Sequence, residues 1–458
     1  MAIPRLIAPL LGVAMALPVH AIGGAPESTV MPWLHGDHWI ARIPAGEDVL
    51  LDAEAVARAN RRMLTTDPSI TDLASLADSL ERDDIIRRID RRARLPEGSL
   101  WLDDGTVVDG TMRRHWEARL RRESLPARIT PRYALTVRRA AVRRLPVRDR
   151  VLTDPSSTDI DHLQETAFFP GTPVAILHET SDGAWQFVLG ATYDGWIETE
   201  SLACGDRDVV VGYAAGATRT ITGRREETVF VPTLPAISDV ALDMGTCLVE
   251  RREWPLTLPV NGQSAAAATV VDFPARGPDG SLALVPVLLP LAADSHDGPL
   301  PASRANVLRQ AFKFLGERYG WGHDFGGRDC SGFVSDVYRS LGLLLPRNAD
   351  DQATSPALER VEVPPEWSRE QRLDVLKSLE PGDLVSTGRH VMMVVGHDEG
   401  PWIIHDTRAT RPSADASVAA ANGVVVQPLV TALTDGTDPI AAITSLIRVL
   451  PPRRTTDP

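Results

Sequence analysis

The sequence predicts an α+β protein of several domains, in which helical, β-rich and mixed segments follow one another along the chain. Residues 22–125 place apolar side chains three and four positions apart, a spacing typical of helices. Residues 126–295 consist of short β-rich runs separated by Gly, Pro, Asp and Ser. From residue 296 a helical pattern returns, and three strand-like runs follow it. The length of 458 residues is sufficient for three or four domains.

Composition and charge narrow the class of function. Hydrophobic residues make up 43% of the chain and charged residues 24%, values that exclude wholesale disorder. The formal net charge of −13 argues against nucleic acid as the main partner. Residues 113–150 are the exception, with thirteen arginines against three acidic residues. We expect these arginines to form ion pairs between domains rather than one open basic face.

The first 21 residues resemble an export signal. Arg5 precedes an apolar run over residues 6–17, and Val19-His20-Ala21 places small residues at the cleavage spacing. The run is too short to cross a bilayer, which needs about 20 apolar residues. We therefore expect an exported protein, periplasmic or secreted, with no integral membrane segment after removal of the signal.

Residues 22–125 are predicted to form a mainly helical domain. The helical spacing is clearest over Ala53–Leu64 and Ile70–Arg92. Two tryptophans and two histidines cluster within residues 33–39, without an acidic or thiol partner at a convincing metal-binding spacing. We expect this cluster to pack against a neighbouring domain.

Residues 126–205 and 206–295 are predicted to be two small β domains in tandem. Strand-like runs such as Pro173–His178 in the first and Val209–Tyr213 in the second are bounded by turn residues. Cys204 and Cys247 fall one in each domain. In an oxidising compartment they could form a disulfide, or each could be a separate buried thiol.

The last domain, residues 296–458, contains the third cysteine in a different setting. Cys330 is predicted to begin a helix that ends near Gly342, and it follows the glycine-rich residues 320–327. A thiol at a helix N-terminus lies near unpaired N–H groups and the positive end of the backbone dipole, which favour the nucleophilic thiolate. The sequence therefore favours a functional Cys330 over a structural thiol.

Two histidines are candidates for the base that such a thiol needs. His390 opens a continuously apolar strand, and His405 ends the next apolar run. On adjacent antiparallel strands, residues at opposite chain ends lie side by side, so the two histidines could be neighbours. Cys330, His390 and His405 would then form a Cys–His–polar catalytic set.

Five motifs in the last domain resemble those of the NlpC-type cell-wall cysteine peptidases, in order and in spacing. They are Tyr319-Gly-Trp-Gly, Arg328-Asp-Cys-Ser-Gly-Phe-Val, Leu345-Pro-Arg-Asn, Pro381-Gly-Asp-Leu and Arg389-His-Val-Met. The resemblance implies a papain-like catalytic domain over residues 296–458. Upstream, it implies two SH3-like barrels (126–205 and 206–295) and a helical stabilising domain (22–125).

The resemblance also implies roles for single residues. Cys330 would be the nucleophile, His390 the base and acid, and His405 the residue that orients His390. Asp329 and Ser331 match positions that bind the free amino group of an N-terminal L-Ala, and Tyr319 lines the same pocket. The implied substrate is a peptidoglycan stem peptide, cut between γ-D-Glu and the diamino acid through a Cys thioester, without a metal or organic cofactor.

Two positions depart from the family pattern, and two other functions stay open. Ala349 replaces a common Ser or Thr, and His323 replaces a glycine, so His323 could narrow the cleft or add a polar contact. The main alternative is a catalytically silent protein that binds cell-wall peptides. The other is amide or acyl transfer on a different substrate by the same fold.

Overall fold

The computed structural model describes residues 31–410, 417–432 and 437–452. The predicted export signal, residues 1–21, lies outside these ranges. Within them, no helix is long and apolar enough to span a bilayer. The described residues from Trp33 onward pack as one unit.

The N-terminal region is built from short helices. Its elements are α1 (Gly36–Ile40), α2 (Ala53–Thr66), β1 (Leu80–Glu81), α3 (Arg82–Arg92), β2 (Trp101–Leu102) and α4 (Gly110–Arg119). The prediction of one helix over Ile70–Arg92 is wrong in its first part, since residues 70–79 form a turn, bends and irregular backbone. Asp72 stabilises this turn by accepting a hydrogen bond from the Ala74 N–H, a contact that competes with helix formation.

The aromatic cluster near residue 33 packs as expected against another part of the chain. Trp33 and Trp39 both contact Trp402, with ring centroids 5.8 and 5.5 Å apart. Trp402 lies in the sheet that also carries the candidate catalytic histidines. The N-terminal region therefore packs against the last domain through these tryptophans.

A seven-stranded antiparallel sheet occupies the predicted first β domain. Its strands run in the spatial order β11-β4-β8-β9-β10-β5-β7. The strands of this region are β3 (Arg128–Ile129), β4 (Arg132–Thr136), β5 (Ala140–Arg143), β6 (Val151–Leu152), β7 (Gln164–Phe168), β8 (Pro173–Glu179), β9 (Trp185–Gly190), β10 (Asp194–Glu198) and β11 (Leu202–Gly205). The short strands β3 and β6 pair with β1 and β2, which joins the sheet region to the helical region.

The next region contains a five-stranded sheet in the order β17-β16-β15-β12-β18 and the pair β13-β14. Its elements are α5 (Arg207–Ala215), β12 (Arg219–Ile221), β13 (Arg225–Glu227), β14 (Ala241–Asp243), β15 (Cys247–Glu250), β16 (Ala268–Arg276), β17 (Leu282–Pro290) and β18 (Ser295–Asp297). The predicted strand Val209–Tyr213 is instead part of helix α5. Val210 and Tyr213, three residues apart, form its buried face, a case in which a short apolar run fits either element.

The last domain combines helices with a six-stranded sheet in the order β19-β24-β20-β21-β22-β23. Its elements are α6 (Arg304–Phe312), α7 (Cys330–Ser340), α8 (Ala349–Thr354), β19 (Glu359–Glu362), α9 (Arg369–Leu376), β20 (Leu384–Ser386), β21 (Val391–His397), β22 (Pro401–Thr410), β23 (Ala419–Pro428), α10 (Pro439–Ala442) and β24 (Ser445–Arg448). The apolar face of α7 is buried against β21 and β22. The α+β class predicted from the sequence is confirmed.

Cys204 and Cys247 are both free thiols. The side chain of Cys247 contacts Thr220, with Sγ 3.8 Å from Oγ1. The disulfide that the sequence left open is therefore not formed in the structure.

Candidate active site

Cys330 is the first residue of helix α7, where the sequence placed it. Asp329 caps the helix by accepting a hydrogen bond from the Gly332 N–H at 2.9 Å. The preceding loop makes a tight turn over Trp321–Gly326, in which Gly322 and His323 both adopt positive φ. The turn brings the backbone close to the helix start, and Cys330 is left with 8% of its surface exposed.

His390 and His405 are hydrogen-bonded partners. Nε2 of His390 lies 2.7 Å from Nδ1 of His405. His390 directly precedes β21 and His405 lies on β22, so the antiparallel pairing of these strands brings the two rings together. If His390 uses Nδ1 as a base, its Nε2 carries the proton and His405 accepts it at Nδ1.

The Cys330 thiol lies beside the residue that follows His390. The backbone N–H of Val391 faces the sulfur and favours its charged form. Cys330 and Val391 also share one core cluster. The start of α7 and the start of β21 therefore converge, and His390 is the residue directly before Val391.

Burial dominates the charge state of the site. It raises the pKa of Cys330 to about 12, and the neighbouring Asp329 carboxylate adds to this effect. Burial also lowers the pKa of His390 to about 4. The thiol and the imidazole are thus both neutral at rest, and the helix-start effect expected from the sequence is outweighed by desolvation.

Asp329 is saturated with hydrogen bonds from the protein itself. Arg347 donates to both carboxylate oxygens, Nη1 to Oδ1 at 3.0 Å and Nη2 to Oδ2 at 2.7 Å. The Gly322 N–H donates to Oδ2 at 3.0 Å, and the Ser331 hydroxyl lies 3.3 Å from Oδ1. Burial alone would raise the pKa of Asp329, but Arg347 outweighs it and holds the pKa below its usual value.

His323 adds the polar contact that its replacement of a glycine suggested. Its Nδ1 accepts from Nη2 of Arg347 at 3.0 Å, and its Nε2 lies 3.6 Å from a carboxylate oxygen of Asp336. Burial lowers the pKa of His323 to about 4, so the ring is neutral. His323 stacks edge-on against Phe169 of the segment after β7. Its side chain is directed into the protein, toward Gly332.

Tyr319 is buried near the nucleophile, and Ala349 is buried at the start of α8. Burial raises the pKa of the Tyr319 hydroxyl, and the nearby Cys330 and Asp329 contribute. The structure thus brings Tyr319 close to Cys330 and to the residues that flank it, Asp329 and Ser331.

The seven-stranded sheet forms one wall of the site through β7. The Gln164 side chain donates to the Gly322 carbonyl at 2.8 Å, and the Trp321 indole donates to the Gln164 carbonyl at 3.1 Å. Thr166 accepts from Nε of Arg347 at 2.7 Å. Sequence reasoning named neither Gln164 nor Thr166, because nothing in a β-rich run signals a contact with a loop over 150 residues away.

Two known protein families match parts of the chain. Residues 316–421 match the NlpC/P60 family, and residues 150–198 match an SH3 domain of the SH3b1 type. The first match spans Cys330, His390 and His405. The chain contains an NlpC/P60 domain. NlpC/P60 is the cysteine-peptidase family whose motifs the sequence resembles, and the SH3 match lies within the predicted first barrel.

The protein shares its fold with a solved structure. It is similar to an NlpC/P60 endopeptidase from Photobacterium damselae subsp. piscicida, at 19% identity and a TM-score of 0.68, over 86% of this chain and 90% of the other. An NlpC/P60 family protein from Bacillus cereus is 18% identical over 70% of this chain and all of its own, with a TM-score of 0.47. No curated protein sequence matches the chain.

Proposed function

We propose that this NlpC/P60 protein is an exported cysteine endopeptidase that hydrolyses the γ-D-Glu–diamino acid bond of peptidoglycan stem peptides with a free N-terminal L-Ala. The observation that supports it most is the convergence of Cys330 at a helix start with the hydrogen-bonded pair His390 and His405. A silent binding protein has no need for a thiol with a base beside it and a second group that orients the base.

In the proposed reaction, Nδ1 of His390 takes the thiol proton as Sγ of Cys330 attacks the γ-carbonyl carbon. The oxyanion forms at the start of α7, where backbone N–H groups can stabilise it. His390 then protonates the leaving amino group of the diamino acid, which breaks the amide and leaves a thioester. Water attacks the thioester with His390 as base, which releases the γ-D-Glu peptide and restores the thiol.

The neutral resting state of Cys330 and His390 fits this sequence of proton transfers. Neither group is charged before substrate binds, so the proton moves only when the carbonyl is in place. His405 accepts from Nε2 of His390 throughout, which stabilises the imidazolium that forms and keeps Nδ1 directed at the reaction.

The free amino end needs a carboxylate, and Asp351 is the one we propose. Asp329, to which the family resemblance assigns this role, is occupied by Arg347. We therefore propose that Asp329 and Ser331 hold the acyl side of the pocket. Asp351 lies on α8 in a cavity of about 390 Å³ that Tyr193, Asn348 and three arginines of α3 also line. These arginines, Arg88, Arg91 and Arg92, all pair with Asp194, which offsets their charge beside Asp351. Burial raises the pKa of Asp351, as expected for a carboxylate that lacks a full set of partners.

The test of the reaction uses L-Ala-γ-D-Glu-diaminopimelate and the same peptide acetylated at its amino end, with products followed by mass spectrometry. We expect cleavage of the free peptide only, loss of cleavage in Cys330→Ala, and retention in Cys247→Ser, which changes a free thiol elsewhere. Cleavage of both peptides would retain the peptidase and reject the amino-end pocket. No cleavage, together with a Cys330 inert to iodoacetamide, would favour the silent binding protein.

A second pair of variants tests the amino-end partner. Asp351→Asn should raise KM for the free peptide by about tenfold or more, because a charge-assisted contact is lost. The matched control is Asp350→Asn, which changes the exposed neighbour on the same helix. Equal KM values in the two variants would show that Asp351 does not bind the amino end.

A further inference from the structure

Asp406 is a buried carboxyl group in the strand of the active-site sheet, directly after His405. Its side chain has no exposed surface. Among the residues that the structure describes, neither of its oxygens has a hydrogen-bond partner. The Thr407 N–H faces the carboxyl without completing a hydrogen bond. A buried carboxylate without partners is strongly disfavoured, so burial favours the protonated, neutral form of Asp406.

Asp406 lies on the side of β22 that faces the nucleophile. Ile404, two residues earlier and hence on the same face of the strand, belongs to the core cluster that contains Cys330. The charge of Asp406 is close enough to raise the pKa of both Cys330 and Tyr319. The proposed reaction of Cys330 and His390 does not use this carboxyl.

The charges around Asp406 oppose its ionisation. The carboxylates of Asp329 and Glu317 face it from the helix start and from the segment before Tyr319. The Arg328 guanidinium faces Asp406 with the opposite charge, but this group already bonds other carboxylates. Arg328 bonds three other carboxylates, Asp336 at 2.7 Å, Glu317 at 2.8 Å and Asp243 at 3.1 Å.

We propose that Asp406 is a positioning residue that must be a neutral carboxylic acid for Cys330 to react, and that its ionisation turns the nucleophile off. The proposal rests on the proposed function of Cys330 as nucleophile. Burial, with Asp329 and Glu317, raises the pKa of Asp406 to about 9, so the neutral form prevails at neutral pH.

The ionisation step is simple in its proton balance. The carboxyl O–H releases one proton to solvent, and the negative charge stays within range of Sγ. The thiol of Cys330 then keeps its proton more tightly, because a thiolate would form beside a second negative charge. The same charge opposes the oxyanion that forms during attack on the substrate. Reactivity of Cys330 should therefore increase less steeply with pH than in a chain without this carboxyl.

The experiment measures alkylation of Cys330 by iodoacetamide from pH 7 to 10.5, with the modified peptide quantified by mass spectrometry. Asp406→Asn removes the ionisable group at almost constant volume. We expect the ratio of its alkylation rate to that of the wild type to rise about tenfold across this range. The matched control is Asp383→Asn, which changes a buried carboxyl whose pKa burial also raises but which bonds Arg304 away from the site. Its ratio should stay flat.

A flat ratio for Asp406→Asn overturns the proposal, and so does a ratio that falls as pH rises. If Asp406→Asn does not fold, infrared titration of the wild type with labelled aspartate replaces it. A protonated aspartate band that disappears near pH 9 supports the proposal, provided that it persists in Asp383→Asn, and the lack of such a band contradicts it.

This readout separates the inference from the proposed function. Alkylation needs no substrate, so a rising ratio upholds the role of Asp406 even if the test peptide is not cleaved. If Cys330 resists alkylation in every variant at every pH, the nucleophile assignment fails and the inference fails with it.

Discussion

In the proposed reaction, His405 sets the direction of the proton transfer. When Nε2 of His390 carries the proton, His405 accepts it at Nδ1 and leaves Nδ1 of His390 as the basic atom. We predict that His405→Ala lowers kcat/KM by about 100-fold, the scale of a correctly oriented general base. His405→Asn should lose less, because the amide oxygen can still accept.

Kinetics with the stem peptide provide the measurement for these variants. His397→Ala is the control, since His397 lies at the far end of β21 and contacts the Leu379 carbonyl. An equal decrease of kcat/KM in the Ala and Asn variants would mean that the hydrogen-bond acceptor at position 405 does not contribute to catalysis.

His323 is expected to make the fold sensitive to acid. Burial holds its pKa at about 4, below the unfolded value of 6.5. Between these values the unfolded chain binds more protons than the folded one, so the free energy of unfolding decreases as pH falls. A shift of this size corresponds to at most about 3 kcal/mol for one histidine.

We predict that His323→Asn makes this dependence less steep between pH 6.5 and 4.5, since asparagine tolerates the positive φ and does not titrate there. Urea unfolding at the two pH values is the measurement. The control is His35→Asn, which changes an exposed histidine. A slope as steep as that of the wild type would contradict the buried neutral ring.

At the residue scale, the sequence could name the candidate reacting groups but not their partners. Cys330, His390 and His405 stand out because each begins or ends an element with a clear apolar pattern. The saturation of Asp329 by Arg347 could not be predicted, since it depends on how two separate elements pack. Asp406 could have been noticed as an acid inside a buried strand, but only the fold shows that it faces Cys330.

At the scale of elements, the accuracy of prediction follows the strength of the pattern. Helix α7 was predicted because five apolar residues share one face and Gly342 ends it with a positive φ. The errors at residues 70–79 and 209–213 occurred where a short apolar run fits more than one structure. At residues 70–79, side-chain to backbone contacts determine the local structure. At residues 209–213, burial against the neighbouring sheet determines it.

Strand β7 is the element whose effect on the site we can test from a distance. Gln164 holds the Gly322 carbonyl, and so fixes the loop that precedes the nucleophile. We predict that Gln164→Ala lowers kcat/KM by about tenfold, because a small displacement of the loop misplaces the reacting atoms. The matched variant Gln186→Ala changes a buried glutamine on β9 of the same sheet. Its kcat/KM should stay within about twofold of the wild-type value, because the same reasoning gives no displacement of the loop.

The comparison requires both variants to be equally folded, which circular dichroism can establish. If Gln186→Ala loses as much activity as Gln164→Ala, the effect comes from the stability of the sheet and not from its contact with the loop.

At the scale of the whole molecule, the arginine-rich segment acts as the sequence suggested, through ion pairs that include contacts between distant parts of the chain. Arg139, from the seven-stranded sheet, pairs with Asp243 at the end of β14. The same carboxylate meets Arg225 of β13 at 3.3 Å and Arg328 of the NlpC/P60 domain at 3.1 Å. Asp243 is fully buried, so one carboxylate joins three regions directly behind the active-site loop.

This arrangement links stability to the site. Arg139 also donates to the carbonyls of His323 and Gly327, at 2.9 and 2.8 Å, and so holds both ends of the loop. Removing the shared carboxylate would leave the buried guanidinium of Arg328 and the partly buried ones of Arg139 and Arg225 short of a counter-charge. Breaking a buried charge network in this way typically costs about 3–5 kcal/mol.

We therefore predict that Asp243→Asn lowers the free energy of unfolding by about 3 kcal/mol and reduces catalysis even under conditions where the protein stays folded. Calorimetry should show the three regions no longer unfolding in one transition, since the charge that joins them is gone. Asp272→Asn is the control, because Asp272 pairs with Arg251 within a single sheet region and away from the loop. A loss of stability in Asp243→Asn with unchanged activity would show that the junction supports the fold without positioning the nucleophile.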